Sequence, residues 1–169
     1  MDIIKAIHSR RSIRKYEDRA VPDESIRQII SAGMSAPSAG NQQPWQFIVI
    51  KDKNILDKIP TVHRHASFAK NAPLAILICG DLKFDKHKDF WIQDCSAATQ
   101  NMLLAIHALG LGAVWTGVYP REDRIEAFRK LLNIPHEVIP FAFIPVGYPA
   151  QNLPENNRFN EERIHIDKW

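Results

Sequence analysis

A chain of 169 residues fits the roughly 100–200 residues of one domain. It is long enough for a sizeable core, since a domain of about 150 residues buries about 70% of its unfolded surface. With 45% hydrophobic and 24% charged residues it has a globular composition, which excludes disordered, collagen-like and fibrous classes. The longest apolar run, Leu74 to Cys79, is far short of the ~20 residues of a membrane helix. The start, Met1 and Asp2 followed by alternating charge, shows no signal-peptide core, so a cytoplasmic protein without membrane contact is expected. Cys79 and Cys95 are too few for a disulfide framework and too far apart for a CxxC motif, and read as small core residues. The net charge of +3 suits an anionic small ligand but falls short of a nucleic-acid footprint. Its excess is local, because Arg10, Arg11, Arg14 and Lys15 stand together.

In chain order, Ile3, Ile4 and Ile7 at helical spacing predict a first helix ending near Ser9. Pro22 to Ala32, with Ile26, Ile29 and Ile30 on one face, predicts a second. The basic cluster lies in the connection between them. Gln46 to Lys51 and Leu74 to Cys79 read as strands. Between Ile92 and Leu109 apolar residues occupy more than one face, which predicts a helix buried nearly all round and a candidate dimer core, closed by Gly110. Leu111 to Tyr119 reads as strand plus turn, Arg121 to Leu132 as a charged surface helix, and Ile139 to Tyr148 as another strand. Helices interleaved with strands point to a single three-layer α/β or α+β sandwich. The tail from Ala150 to Asn157 is extended and polar, and Arg163 to Trp169 is expected to form a last edge strand. Its Ile164, Ile166 and Trp169 need burial, for which a partner subunit is one place.

Three segments carry candidate chemistry. Arg10-Arg11-Ser12-Ile13-Arg14 offers bidentate guanidinium donors and a hydroxyl to a phosphomonoester, though alone it also fits a solvated basic loop. Pro37-Ser38-Ala39-Gly40-Asn41-Gln42-Gln43-Pro44-Trp45 sets amide side chains between turn residues, matching the mixed donor and acceptor edge of a flavin or nucleobase, and equally an ordinary polar loop. Trp115-Thr116-Gly117 can present backbone donors to a ligand, or be a plain strand end. Gly110-Leu111-Gly112 is not a dinucleotide fingerprint, since a helix precedes it and the third glycine is absent. His63, His65, Asp81, Asp85 and His87 match no metal-ligand spacing, and no GxSxG or Walker sequence occurs.

Taken in order, Arg10 to Arg14, the APSAGNQQPWQF run of Ala36 to Phe47, GLGAVWTGVYP of Gly110 to Pro120, PVGYP of Pro145 to Pro149, Arg158 and the ending ERIHIDKW resemble the FMN-dependent nitroreductase family, in its short-chain branch. The motifs span nearly the whole chain. The resemblance implies an α+β fold, a three-layer sandwich with a central, mainly antiparallel sheet flanked by helices. It further implies an intertwined homodimer whose segment 150–169 reaches over the partner, with two FMN sites at the interface. Arg10, Arg11, Ser12 and Arg14 would then bind the FMN phosphate and part of the ring edge. Pro37, Ser38, Ala39, Asn41 and Gln43 would approach the flavin from the other subunit. Trp115, Thr116 and Gly117 would face the ring with a backbone N–H toward N5, and Arg158 would close on the phosphate.

The activity so implied is ping-pong transfer from NADH or NADPH through FMN to a small organic acceptor such as a nitroaromatic or quinone, with no side chain required as general acid. The chain is shorter than the well-known bacterial nitroreductases and lacks a long insertion over the active site. A flavin-binding module without turnover would share every binding residue. Reductive dehalogenation and oxygen-dependent flavin chemistry occur in the same superfamily.

Overall fold

Asp2 starts the first helix: its carboxylate accepts from the Ile4 and Lys5 amides at 3.0 and 3.2 Å, satisfying donors that a helix start leaves open. In the computed structural model, which describes residues 2–154 and 156–169, α1 covers Ile3–Ser9 and α2 covers Asp23–Met34. The chain continues through β1 (Trp45–Ile50), two single-turn helices α3 (Lys53–Leu56) and α4 (Ile59–Val62), and β2 (Leu74–Asp81). Then come α5 (Trp91–Ala108), the two-residue strands β3 (Gly112–Ala113) and β4 (Thr116–Gly117), α6 (Glu122–Leu132) and β5 (Val138–Gly147).

The sheet runs β1-β2-β5-β3, with β4 also on β5, and every pairing is antiparallel. All of β2 is buried, because alternate side chains enter two different cores. Ile76, Ile78, Ile144 and Val146 pack with Ile29 of α2 and with Cys95, Met102 and Ile106 of α5. Ala75, Leu77, Cys79 and Phe143 pack on the other face with Leu56, Ile59 and Phe128. The result is the expected three-layer α+β sandwich around an antiparallel sheet. Both cysteines are free and buried, and burial pushes the Cys79 thiol up to about 12. A register shift beside Ile78 and Cys79 leaves Phe141 without a partner on β2, and its ring joins those of Trp91, Trp115 and Tyr119 at 5.7–6.3 Å.

Two expectations are corrected, and one stretch without an expectation is filled in. Helix α5 is not buried all round in this chain: Trp91, Asp94, Cys95, Ala98, Thr99, Met102, Leu103 and Ile106 face the core, while Gln93, Gln100 and Ala108 are exposed and Leu104 is half-buried. The segment from Arg163 to Trp169 forms no strand, because no strand of its own chain lies alongside it; Ile164, Ile166 and Trp169 are 55%, 83% and 100% exposed. Between β1 and β2 the chain makes α3, α4 and a 3-10 stretch over Arg64–Asn71, whose short apolar spacing carries no periodicity.

Tyr16 fastens the arginine segment to this frame. Its hydroxyl donates to the Ile13 carbonyl at 2.7 Å and lies 3.2 Å from that of Pro145, and burial raises its pKa. Tyr16→Phe is expected to cost about 1 kcal/mol in urea unfolding, and no loss at all would mean that solvent satisfies both carbonyls equally well.

Candidate functional site

The arginine segment leaves α1 and runs beside β3. The Ile13 amide donates to the Ala113 carbonyl at 2.9 Å, and Ser12 bridges to Ala113. Gly112 makes that approach possible, since a Cβ there would lie 2.7 Å from Ile13 Cγ2. Arg11 is half-buried and donates from Nε to the Pro154 carbonyl at 2.7 Å and from Nη1 to those of His8 and Arg10 at 2.7 and 2.8 Å. Its Nη2 is buried with no hydrogen-bond partner among the described residues. Burial first, then the charges of Arg158 and Arg11, lower the Arg10 guanidinium below its ordinary value. A cleft of about 240 Å³ opens here between Arg10, Arg11, His107, Ala113 and Asn152. A second cleft of about 290 Å³ brings Arg158 beside Arg10 and Arg11. His107, 2.8 Å from the Ser9 hydroxyl, is kept below its ordinary pKa by burial and by Arg10 and Arg11. Three guanidinium groups and one unpartnered buried donor have the chemistry to accept an anion. Arg14 is exposed and lines neither cleft.

The Pro37–Gln43 loop forms at the start of β1. Gly40 has φ +53°, and a Cβ there would lie 2.3 Å from His87 Nε2, so the position demands glycine twice over. Asn41 and Gln43 also adopt positive φ; the Gln43 amide donates to Ser38 Oγ at 3.1 Å and Gln43 Nε2 to Asn41 Oδ1 at 2.7 Å. The loop is held by the buried carboxylate Asp94 of α5, with Asp85 Oδ1 also accepting from Gln42 Nε2 at 3.3 Å. Asp94 accepts from the Ala39 amide at 2.9 Å and from Gln42 Nε2 at 2.7 Å, while Gln42 Oε1 accepts from the His87 amide at 3.1 Å. Pro37 is exposed and Ser38 and Ala39 are half-buried, so the loop's outer surface is open.

Trp115 is 36% exposed against Phe141, and Thr116 Oγ1 donates to the Phe143 carbonyl at 2.7 Å, which fixes β4 on β5. The Gly117 carbonyl accepts from Arg124 Nη1 at 2.7 Å and from His63 Nε2 at 3.1 Å. His63 is buried, edge-on to Phe128, and its Nδ1 has no partner among the described residues. Desolvation, followed by the Arg124 charge, holds its pKa at about 4 against an ordinary 6.5. As pH falls the unfolded chain therefore takes up this proton first. The stability His63 contributes is complete above pH 6.5 and is lost as pH falls toward 4. Urea unfolding between pH 7 and 4 should show a weaker pH dependence in His63→Gln than in the wild type; parallel profiles would remove His63 as the source.

The structure brings some of these residues together and keeps others apart. Arg10, Arg11, Ser12, Arg158 and the Trp115–Gly117 turn share the β3–β4 side of the sheet, through Ala113 on Val146 and Thr116 on Phe143. The Pro37–Gln43 loop leads into Trp45, which pairs with Gly80, whereas Val146 pairs with Leu74 at the other end of β2. Six residues of strand, roughly 20 Å, separate the two ends. Asp94 and Arg124 escaped the sequence reading, and the supporting roles of Gln42 and His63 were not foreseen. A carboxylate on the otherwise apolar face of α5 was the available signal for Asp94; nothing local marks the others. A wider groove of about 760 Å³ near Arg19, Lys51, Lys53 and Lys70 is charge-balanced, with Lys51 paired to Asp23 and Lys53 to Asp57. Among the described residues no helix is long and apolar enough to cross a membrane.

Comparison with known proteins adds an independent line. The chain matches the family model described as the nitroreductase family over residues 7–65 and 60–148. It is 54% identical, over all of its length and 88% of the relative's, to a Methanothermobacter thermautotrophicus protein provisionally named NADH dehydrogenase/NAD(P)H nitroreductase. A solved FMN-dependent nitroreductase of Clostridium difficile is 32% identical, with a TM-score of 0.91 over 98% of this chain and 99% of that one. A Desulfovibrio desulfuricans protein, provisionally described as a nitroreductase and solved in complex with FMN, is 37% identical, with a TM-score of 0.86 over 100% and 98%. The motif order, the antiparallel three-layer fold and these matches agree: the chain belongs to the nitroreductase family.

Proposed function

We propose that this chain is an FMN-dependent NAD(P)H oxidoreductase acting on a small organic acceptor. The observation that carries the reading is the buried, unpartnered Nη2 of Arg11 beside the half-buried Arg10 and the nearby Arg158. A phosphate there would accept the free donor and offset the mutual repulsion of the guanidinium groups. The FMN complex of the Desulfovibrio relative supports that choice of ligand. Arg10, Arg11, Ser12 and Arg158 would hold the phosphate, Arg14 the edge of the site, and Trp115, Thr116 and Gly117 the ring. Bound FMN would take two electrons from NADH or NADPH and pass them to an acceptor such as a nitroaromatic or quinone, the donor leaving before the acceptor enters.

Along the sheet the Pro37–Gln43 loop lies roughly 20 Å from the arginines of its own chain, with the Trp115–Gly117 turn between them. We assign Pro37, Ser38, Ala39, Asn41 and Gln43 to the flavin site of a second copy, so that a homodimer carries two shared sites. The exposed Ile3, Ile4 and Ile7 of α1 and the exposed apolar residues of segment 150–169 support burial against that partner. Light scattering should report a dimer, and a monomer that still holds FMN would overturn the shared site. Absorption spectra of the protein with FMN, before and after anaerobic NADH or NADPH, test the activity. Bound flavin that bleaches is expected; flavin that binds but resists both donors would mean a binding module, and a protein that takes up none would remove the assignment.

A further inference from the structure

Gly117 stands in β4, opposite Ala142 of β5. The next amide along, that of Val118, donates back to the Phe141 carbonyl at 3.1 Å. The N–H and C=O of one residue in an extended strand lie on the same edge and alternate sides with the neighbouring residues. Gly117 therefore turns its N–H and carbonyl away from β5 together. The carbonyl receives Arg124 Nη1 from α6 and His63 Nε2 from the residue that closes α4. Among the described residues, chain neighbours aside, nothing comes nearer than 3.9 Å to the point where a Cβ would sit on Gly117, so that face of the backbone, beside the N–H edge, is open to a flat ligand.

Two donors from separate elements on one carbonyl are more than backbone satisfaction requires, since a single hydrogen bond meets that need. One of them comes at a cost. His63 is only 2% exposed, and donating from Nε2 leaves Nδ1 as a bare acceptor with no partner among the described residues. A buried unsatisfied nitrogen is unfavourable wherever it occurs, and such costs collect at functional sites. The ring stays neutral because burial and the Arg124 charge disfavour a second proton. The Gly117 carbonyl thus faces one full positive charge and one neutral donor.

We infer that His63 and Arg124 are positioning residues, which by holding the Gly117 carbonyl fix the backbone on both sides of its Cα, so that the Gly117 amide stays aimed at the redox-active edge of the bound flavin, and thereby set how readily that flavin is reduced. The inference rests on the cofactor reading above. Neither side chain touches the reacting atoms in this role. The step they influence is hydride transfer from NAD(P)H to FMN, which oxidises the nicotinamide and reduces the flavin by two electrons. A preorganised N–H favours the reduced form because that form gains electron density at the position the amide faces.

The test uses the FMN-loaded protein with His63→Leu, His63→Gln and Arg124→Met. Four quantities are measured: FMN affinity, flavin midpoint potential, the rate of anaerobic reduction by NADH and the urea unfolding midpoint. His63→Leu and Arg124→Met are expected to lower the potential and slow reduction about tenfold, less than the roughly hundredfold or more of a donor removed outright, because the amide is misaligned and not lost. FMN affinity should hold, because the arginine anchor is untouched. His63→Gln, whose amide can donate to the same carbonyl, should restore both potential and rate. A purely structural role would move the unfolding midpoint while leaving potential and rate at wild-type values, and that result would overturn the inference. Should His63→Leu fail to fold, Arg124→Met decides alone by the same criterion. Wild-type protein that takes up no FMN would overturn the cofactor reading itself, and the inference with it.

Discussion

Arg10→Met is expected to weaken FMN binding by about 1.5–3 kcal/mol, or roughly ten- to hundredfold, with little change in fold stability. Arg10 is the informative choice because its guanidinium makes no hydrogen bond to the described residues, whereas Arg11 also holds the carbonyls of His8, Arg10 and Pro154. Methionine keeps the stem that packs at the cleft and removes only the charge. Relief of repulsion with Arg158 and Arg11 should stabilise the free protein slightly, so a loss of affinity cannot be read as unfolding. Riboflavin, which lacks the phosphate, supplies the internal control. If the anchor is correctly placed, wild-type protein prefers FMN strongly to riboflavin and Arg10→Met narrows the preference while binding riboflavin as before. Calorimetry showing equal losses for both flavins would put Arg10 on the ring instead of the phosphate, and no loss for either would remove it from the site.

How far the sequence foretold this arrangement depends on how local each signal is. The isoleucines of α2, the apolar run of β2 and the charged face of α6 declare themselves within a single turn or strand, and all three elements stand where the periodicity puts them. Antiparallel pairing is not local, since β2 lies between β1 and β5, and no spacing announces that order; it was carried by the family resemblance. Helix α5 reads as buried all round because Leu104 and Ala105 share it with Met102 and Ile106, yet one chain covers only one side. Ile164, Ile166 and Trp169 were expected in a last edge strand, and in this chain they stand exposed with no strand beside them. His63 is the hardest case. It opens the polar run His63-Arg64-His65, whose other two members are exposed and where a histidine ordinarily meets solvent, and its burial depends on Phe128 sixty-five positions away.

Asp94→Ala should be the more disruptive change, costing about 3 kcal/mol of unfolding free energy. The carboxylate is buried in α5 and satisfies the Ala39 amide and Gln42 Nε2, and Gln42 is itself buried and tied to the His87 amide. Alanine would leave the Ala39 amide without its acceptor and Gln42 Nε2 with only the longer 3.3 Å contact to Asp85, a loss well above that of an exposed substitution. Urea unfolding that shows less than ~0.5 kcal/mol would mean that water replaces the carboxylate and that the loop is not held from α5. The same variant tests the shared site. If the arginines of one copy and the Pro37–Gln43 loop of the other build each flavin site, Arg10→Met and Asp94→Ala homodimers should each bind FMN poorly at both sites. Unfolding the two variants together and refolding them yields heterodimers, in which one site collects both defects and the other collects neither. Mixed protein should then recover wild-type affinity at one site per heterodimer. Recovery is impossible if a single chain supplies both segments to its own flavin, because every site would still carry one defect.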